Sequence, residues 1–333
     1  MVQLNSRPLS LVLPSSKIWS NQVARKKISV IGAGNVGATA AFLIAQKQLG
    51  DVVMVDIIDG VPQGKALDMV QAGPVEMFDA NMSGSVGYEE TAGSDVVIIT
   101  SGSPRKPGMT REDLLNTNAK IVTTVTENVV KHSPDCVIVM LTNPLDIMTY
   151  HAWRVSGFPS ERVVGQAGIL DSARFRTFIS MELNVSVEDV TAMVMGGHGD
   201  TMVPVVESTN VAGTPVSQLI SPSRLEEIVQ RARDGGAEIV NYLKTGSAYY
   251  APSASIVQMI EAVLFDNKEI LPCTAYLQGQ YGIDGLYVGV PVKVGAGGAE
   301  QIIELSLSKE ELSELKKSAE AVEELVGVMA NSE

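Results

Sequence analysis

Only three histidines occur in the 333 residues, at positions 132, 151 and 198, and His198 stands in the run Met-Gly-Gly-His-Gly-Asp-Thr from Met195 to Thr201. Imidazole is the side chain whose ordinary pKa, about 6.5, lets it take and return a proton near neutral pH. Taken alone, the run fits a proton carrier and a structural histidine in a glycine turn equally well. Asp171 and Arg174 supply the next chemistry-bearing pair, three residues apart in Gly168-Ile-Leu-Asp-Ser-Ala-Arg-Phe-Arg176 and therefore on one helix face. As plain structure they are a capping acid and its i,i+3 partner. As chemistry they are an acid that orients an imidazole and a guanidinium that grips a carboxylate through two parallel hydrogen bonds. Asp200 is closer in sequence to His198, but two residues along the backbone its side chain points elsewhere, which leaves Asp171 as the orienting acid. A third group is the stretch Ser103-Pro-Arg-Lys-Pro-Gly-Met-Thr-Arg111, with cations at Arg105, Lys106 and Arg111. It reads as a solvated basic loop or as a lid that closes on an anionic substrate, and its place after an apolar strand favours the lid.

These groups need a scaffold. Ile28–Ile31 is a short buried strand, followed by Gly32-Ala-Gly34-Asn35-Val36-Gly37, a helical pattern from Ala38 to Leu49, and a second strand, Val52–Val55, that ends in Asp56. A strand, a glycine turn, a helix start and an acid about 20 residues on make the dinucleotide fingerprint. Gly32 permits the turn, Gly34 lets backbone approach a pyrophosphate, and Gly37 lets the helix pack on the strand. The helix start at Asn35 and Val36 offers free N–H groups to the anion. Asp56 accepts from ribose hydroxyls and repels a 2′-phosphate, so the cofactor expected is NAD rather than NADP. Asp95–Thr100, a helical stretch over 111–132 and Cys136–Leu141 continue the alternation, which predicts a parallel sheet covered on both faces. Ligands of such sheets lie beyond the strand carboxyl ends, where Thr100-Ser-Gly102 and Thr142-Asn143-Pro144 stand. Apolar helices over 36–49 and 161–184 have faces for internal packing or for a second copy.

Composition bounds the partners. A net charge of −13 argues against nucleic acid and anionic membrane, and 45% hydrophobic content over this length predicts two adjoining cores. No apolar run approaches the ~18–20 residues that span a bilayer. Cys136 and Cys273 lie in apolar runs without ligand spacing, which predicts core thiols in a reducing compartment and no metal site. Residues 1–27 hold Arg7, Lys17, Arg25, Lys26, Lys27, five serines and no acid. That zone is a loose extension or an organellar transit peptide; Pro8 and Pro14 break any long amphipathic helix and favour the extension, with a cytoplasmic enzyme.

On the glycine fingerprint, Thr-Asn-Pro-Leu-Asp at 142–146, Leu-Asp-Ser-Ala-Arg-Phe-Arg at 170–176 and Gly-Gly-His-Gly-Asp at 196–200, the chain from 27 to 330 resembles the lactate/malate dehydrogenase superfamily. The resemblance implies an α/β protein: an extension over 1–26, an N-terminal Rossmann NAD-binding domain with a mostly parallel sheet over 27–165, and a mixed α/β catalytic domain over 166–333. It implies that His198 is the proton donor and acceptor, Asp171 its partner, Arg174 the clamp on the C1 carboxylate, Asn143 a donor near the reacting oxygen and Arg111 the lid cation that polarises the carbonyl. Cofactor contacts are implied at Gly32, Gly34, Asn35, Val36, Gly37, Asp56, Thr100, Gly102, Asn118, Thr142 and Asn143, with Ala248 and Pro252 near the nicotinamide or substrate. Arg105 stands where lactate enzymes of this superfamily carry glutamine and malate enzymes carry arginine. A second cation there pairs with the distal carboxylate of oxaloacetate and would be left unpaired beside pyruvate. The expectation is therefore NAD-dependent oxidation of (S)-malate in the tricarboxylic acid cycle, with lactate/pyruvate as the alternative substrate pair and a silent NAD-binding protein as a remote one. A homotetramer is expected, or else a dimer.

Overall fold

The computed structural model describes residues 25–104 and 110–330, with only the backbone of Arg111. Arg105 and nearly all of the extension expected over 1–26 lie outside these residues.

The first half alternates strand and helix: β1 (Lys27–Ile31), α1 (Asn35–Gln46), β2 (Asp51–Val55), α2 (Val61–Glu76), β3 (Met82–Ser85), β4 (Val96–Ile99), α3 (Arg111–His132), β5 (Val137–Met140), α4 (Leu145–Ser156) and β6 (Val163–Gly165). The strands run parallel in the order β3-β2-β1-β4-β5-β6. Central β1 is flanked on both sides, with Ile28 opposite Val52 and Val96. Its continuous apolar text follows from cover on both faces. Val96 and Ile98 face a core shared with Ala40, Ala41 and Ile44 of α1, whereas Val97 and Ile99 face one built with Leu115 and Val122 of α3 and Ile147 and Met148 of α4. A period of two along β4 thus feeds two apolar layers.

The second half comprises α5 (Gly168–Leu183), β7 (Val190–Thr191), β8 (Val194–Gly196), β9 (Met202–Pro204), β10 (Asn210–Val211), β11 (Thr214–Pro215), α6 (Pro222–Arg233), α7 (Gly235–Leu243), α8 (Tyr250–Leu264), β12 (Glu269–Gln278), β13 (Asp284–Gly295), β14 (Gly298–Ile302) and α9 (Lys309–Ala330). Strands β12 to β14 are antiparallel and extend the parallel sheet past β6 through one pair, Thr274 opposite Gly165. Helix α8 packs on the α1 side, where Ile256, Val257, Met259 and Ile260 join the first core, and Met329 of α9 joins the second. Phe175 and Ile179 of α5 form a third core with Leu225 and Ile228 of α6. The fold is α/β, with a parallel-dominated N-terminal sheet and a mixed C-terminal part.

The apolar helix expected over 161–184 is shorter in the structure. Val163 and Val164, β-branched and paired with β5, form β6, and the helix starts at Gly168. Cys136 and Cys273 are buried, and burial pushes both thiols up to about 12, so they behave as small core residues.

Candidate active site

The nucleotide end of the site lies at the carboxyl ends of β1, β2 and β4. Gly32 has φ +108°, a conformation that disfavours a side chain, and a Cβ there would stand 2.7 Å from Thr100 Oγ1. A Cβ on Gly37 would collide with the carbonyl of Gly32, so α1 can lie this close to β1 only with glycine at that position. Gly34 is different: it and Asn35 are exposed, and a Cβ on Gly34 would meet nothing within 4 Å. The space above the helix start is therefore open to an anionic ligand, which is what a pyrophosphate needs. Asp56 Oδ2 accepts from Ala33 N–H at 2.8 Å and Oδ1 from Ile58 N–H at 3.1 Å, fixing the carboxylate with lone pairs to spare for ribose hydroxyls. Lys65 of α2 donates to Ala33 O at 2.7 Å, so Asp56 and Lys65 hold the N–H and the C=O of one residue.

Between the nucleotide end and the histidine, side chains fasten the strand ends together. Thr100 Oγ1 donates to Gly32 O at 3.0 Å, and Thr142 Oγ1 donates to Ser101 O at 2.7 Å. Asn118 is buried, and its amide accepts from Ser103 N–H at 2.8 Å and donates to Asn143 O at 2.7 Å. It holds the loops after β4 and β5 in one arrangement, which leaves the exposed Gly102 and Asn143 facing outward. Ser253 Oγ, at the start of α8, lies within hydrogen-bond distance of Val36 O at 2.8 Å and of Tyr249 O, which ties the start of α8 to the first turn of α1.

His198 follows β8 and faces α5. Its Nδ1 lies 2.8 Å from Asp171 Oδ2, and an ionised carboxylate only accepts, so Nδ1 carries the hydrogen and Nε2 is left to exchange a proton. Arg174 Nη1 donates to Asp171 Oδ1 at 3.3 Å, and its buried Nε has no partner among the described residues. A guanidinium with unspent donors beside a buried acid is a receptor for an anion. Gly235, the first residue of α7, makes room for it, because a Cβ there would lie 3.0 Å from Arg174 Cδ. Burial disfavours charge on His198, but the carboxylates of Asp171 and Asp146 outweigh it, and its pKa is held above the ordinary value.

Asp146 is a member of this site to which the sequence reading gave no role. It is buried on α4; Oδ2 accepts from His198 N–H at 2.9 Å and Oδ1 from Thr274 Oγ1 on β12 at 2.7 Å. Burial pushes its carboxyl up, against these hydrogen bonds and the attraction of His198. In the sequence it is a lone acid in the apolar run Leu145-Asp-Ile-Met148 and closes the Thr-Asn-Pro-Leu-Asp run at 142–146, but neither signal says what it touches. The structure brings together His198, Asp171 and Arg174. Arg105 lies outside the described residues, and of Arg111 only the backbone, opening α3 behind the Thr110 capping box, is placed. His151 is buried on α4 with Nε2 2.7 Å from Thr123 Oγ1, and His132 closes α3.

The NAD binding domain of lactate/malate dehydrogenases matches residues 26–165, and their alpha/beta C-terminal domain matches 169–329. A malate dehydrogenase of Chloroherpeton thalassium is 62% identical over 299 residues, 90% of this chain and 96% of that one. The solved malate dehydrogenase of Salinibacter ruber superposes with a TM-score of 0.88 at 53% identity, over 92% of this chain and 98% of that one. A lactate dehydrogenase of Cryptosporidium parvum, complexed with lactic acid and nicotinamide adenine dinucleotide, superposes with a TM-score of 0.90 at 42% identity, over 93% of this chain and 99% of that one.

Proposed function

Because the chain belongs to the lactate/malate dehydrogenase family, we propose that it catalyses the reversible, NAD-dependent interconversion of (S)-malate and oxaloacetate with His198 as the proton carrier. The observation that carries this is His198 Nδ1 held by Asp171 beside Arg174, whose Nε is unspent. When bound, NAD supplies the acceptor for the hydride from C2. Gly32, Gly34, Gly37 and the start of α1 hold its pyrophosphate and Asp56 its ribose, and the open space over Gly34 fits such a group.

The remaining work belongs to the chain. Arg174 clamps the C1 carboxylate, which fixes the C2 hydroxyl against His198 Nε2. Nε2 takes the hydroxyl proton as C2 is oxidised, and Asp171 stabilises the imidazolium that results. In the reverse direction the imidazolium returns that proton to the carbonyl oxygen. Arg111 adds charge there and Asn143 a hydrogen bond, both of which count most in a site closed to water.

Arg105 selects the dicarboxylate by pairing with its distal carboxylate. Relatives named malate dehydrogenase at 56–62% identity support this choice, and the lactate enzyme at 42% keeps the lactate/pyruvate pair as the competing reading. NADH oxidation measured with oxaloacetate and with pyruvate decides between them. We expect oxaloacetate to be preferred by about a hundredfold or more and Arg105→Gln to erode that preference; a wild type that prefers pyruvate overturns the assignment.

Among the described residues no helix is long and apolar enough to cross a membrane, and we place the enzyme in the cytoplasm, with residues 1–27 as an extension. Attaching that segment to a reporter tests the transit-peptide reading. We propose a homotetramer, for which exposed Leu67 and Val70 on α2 and Tyr242 and Leu243 on α7 offer apolar contact; light scattering separates it from a dimer.

A further inference from the structure

The segment that carries His198 hangs from two neighbouring backbone amides. Gly197 N–H donates to Ser318 Oγ at 2.7 Å, and His198 N–H donates to Asp146 Oδ2 at 2.9 Å. The acceptors are far apart in sequence, Asp146 on α4 and Ser318 in the middle of α9, and both are buried, with Ser318 only 2% exposed. Gly196 has φ +79°, and a Cβ there would stand 2.9 Å from Ser318 Oγ. On the other side β13 comes so close that a Cβ on Gly289 would collide with the carbonyl of Gly196. The loop is therefore pressed between β13 and α9 at a point where it has no side chains of its own. Glycines allow that approach but contribute no rotamer packing to keep the histidine in place. Asp171 holds the ring at Nδ1, but the backbone that carries the ring must be held through its amides.

From this geometry we infer that Ser318 is a positioning residue for proton transfer, and that with Asp146 it fixes the peptide planes on either side of Gly197 so that the imidazole meets both Asp171 and the substrate. The C-terminal helix thereby becomes a working part of the site, although none of the reacting groups sits on it. The inference rests on His198 being the proton carrier. The charged groups facing the histidine are Asp171 and Arg174 of α5 and Asp146 of α4, while β12 and α9 bring the hydroxyls of Thr274 and Ser318. Arg233 of α6, paired with Glu314 of α9, reaches Met202 O at the far end of the loop.

The test is Ser318→Ala in the full-length enzyme, with Ser313→Ala, on the exposed face of the same helix, as the control. Leaving the Gly197 amide without an acceptor should lower kcat roughly tenfold while the NADH dissociation constant stays within about twofold and the control changes nothing. The pH midpoint of activity should fall, because a looser ring gains less from Asp171. Combined with Asp146→Ala, which removes the acceptor of His198 N–H, the loss should be smaller than the product of the two single losses, since both variants free the same loop. Ser318→Cys, nearly the same shape with a weaker acceptor, gives a smaller loss of the same sign and serves if the alanine variant does not fold. A folded Ser318→Ala enzyme with unchanged kcat overturns the inference, as does a loss that falls equally on NADH affinity with no move of the pH midpoint. Turnover retained in His198→Asn would instead sink the proton-carrier reading beneath it.

Discussion

The nucleotide end and the histidine end of the site are built on opposite plans. The first is contiguous: residues 32–56 supply the glycine turn, the helix start and the acid, and its contacts are made largely by backbone and read locally. The second is assembled from α4, α5, β8, β12 and α9, and its contacts are between buried charged side chains and the groups that satisfy them. A contiguous backbone cradle loses affinity by degrees when one side chain is removed. An assembled charge cluster leaves a buried partner unpaired, which costs far more.

The largest effect expected from this difference is at His198. His198→Asn should lower turnover by about a thousandfold or more, with the NADH dissociation constant from fluorescence titration unchanged within about twofold. A parallel collapse of NADH binding would erase the distinction between the two ends. Arg174→Gln comes next: it removes the proposed carboxylate clamp and leaves Asp171 with His198 alone. We expect kcat/KM for oxaloacetate to fall by about two to three orders of magnitude, mostly through KM in steady-state kinetics. At the nucleotide end, Asp56→Ala should weaken NADH about tenfold and narrow its margin over NADPH, while kcat at saturating NADH barely moves.

The smallest and most diagnostic effect is in pH. His198 is held above its ordinary pKa, and with His198 as the proposed proton donor oxaloacetate reduction needs the imidazolium, so that activity should persist above pH 6.5 and fall only through the raised value. Malate oxidation requires neutral imidazole and should rise over the same interval. Asp146→Asn removes one of the carboxylates that raise the pKa and should move both limbs to lower pH in kcat/KM profiles. Unmoved limbs would mean that Asp146 acts on the histidine by geometry alone.

What the sequence made readable follows the same division. Glycine spacing, strand-end threonines and the Asp171–Arg174 pair are local signals, and the parallel sheet follows from continuous apolar strands. Asp146 closes one of the motifs, but its role is not readable there, because its partners lie at 198 and 274 and only tertiary folding brings them to one carboxylate. Ser318 gave still less: it is a serine among lysines and glutamates on an amphipathic helix, indistinguishable by type from the exposed Ser313. Lys65 is one cation on α2, and its grip on Ala33 depends on how α2 crosses the end of β1. The helix boundary near 163 was missed because apolar text serves a buried strand and a buried helix equally.

The pairing of Thr274 with Gly165 also sets a schedule for synthesis. As the chain emerges, β1 to β6 can assemble first, but the β6 edge stays unpaired and the α1 side of the sheet stays only partly covered until α8 and β12 have been made, about a hundred residues later. An open edge of parallel sheet beside a partly covered apolar face is a form in which a nascent chain is prone to pair with another. The strands that close the edge are thus also its protection against aggregation, and a ribosome that stalls before Thr274 leaves the sheet unfinished on both counts.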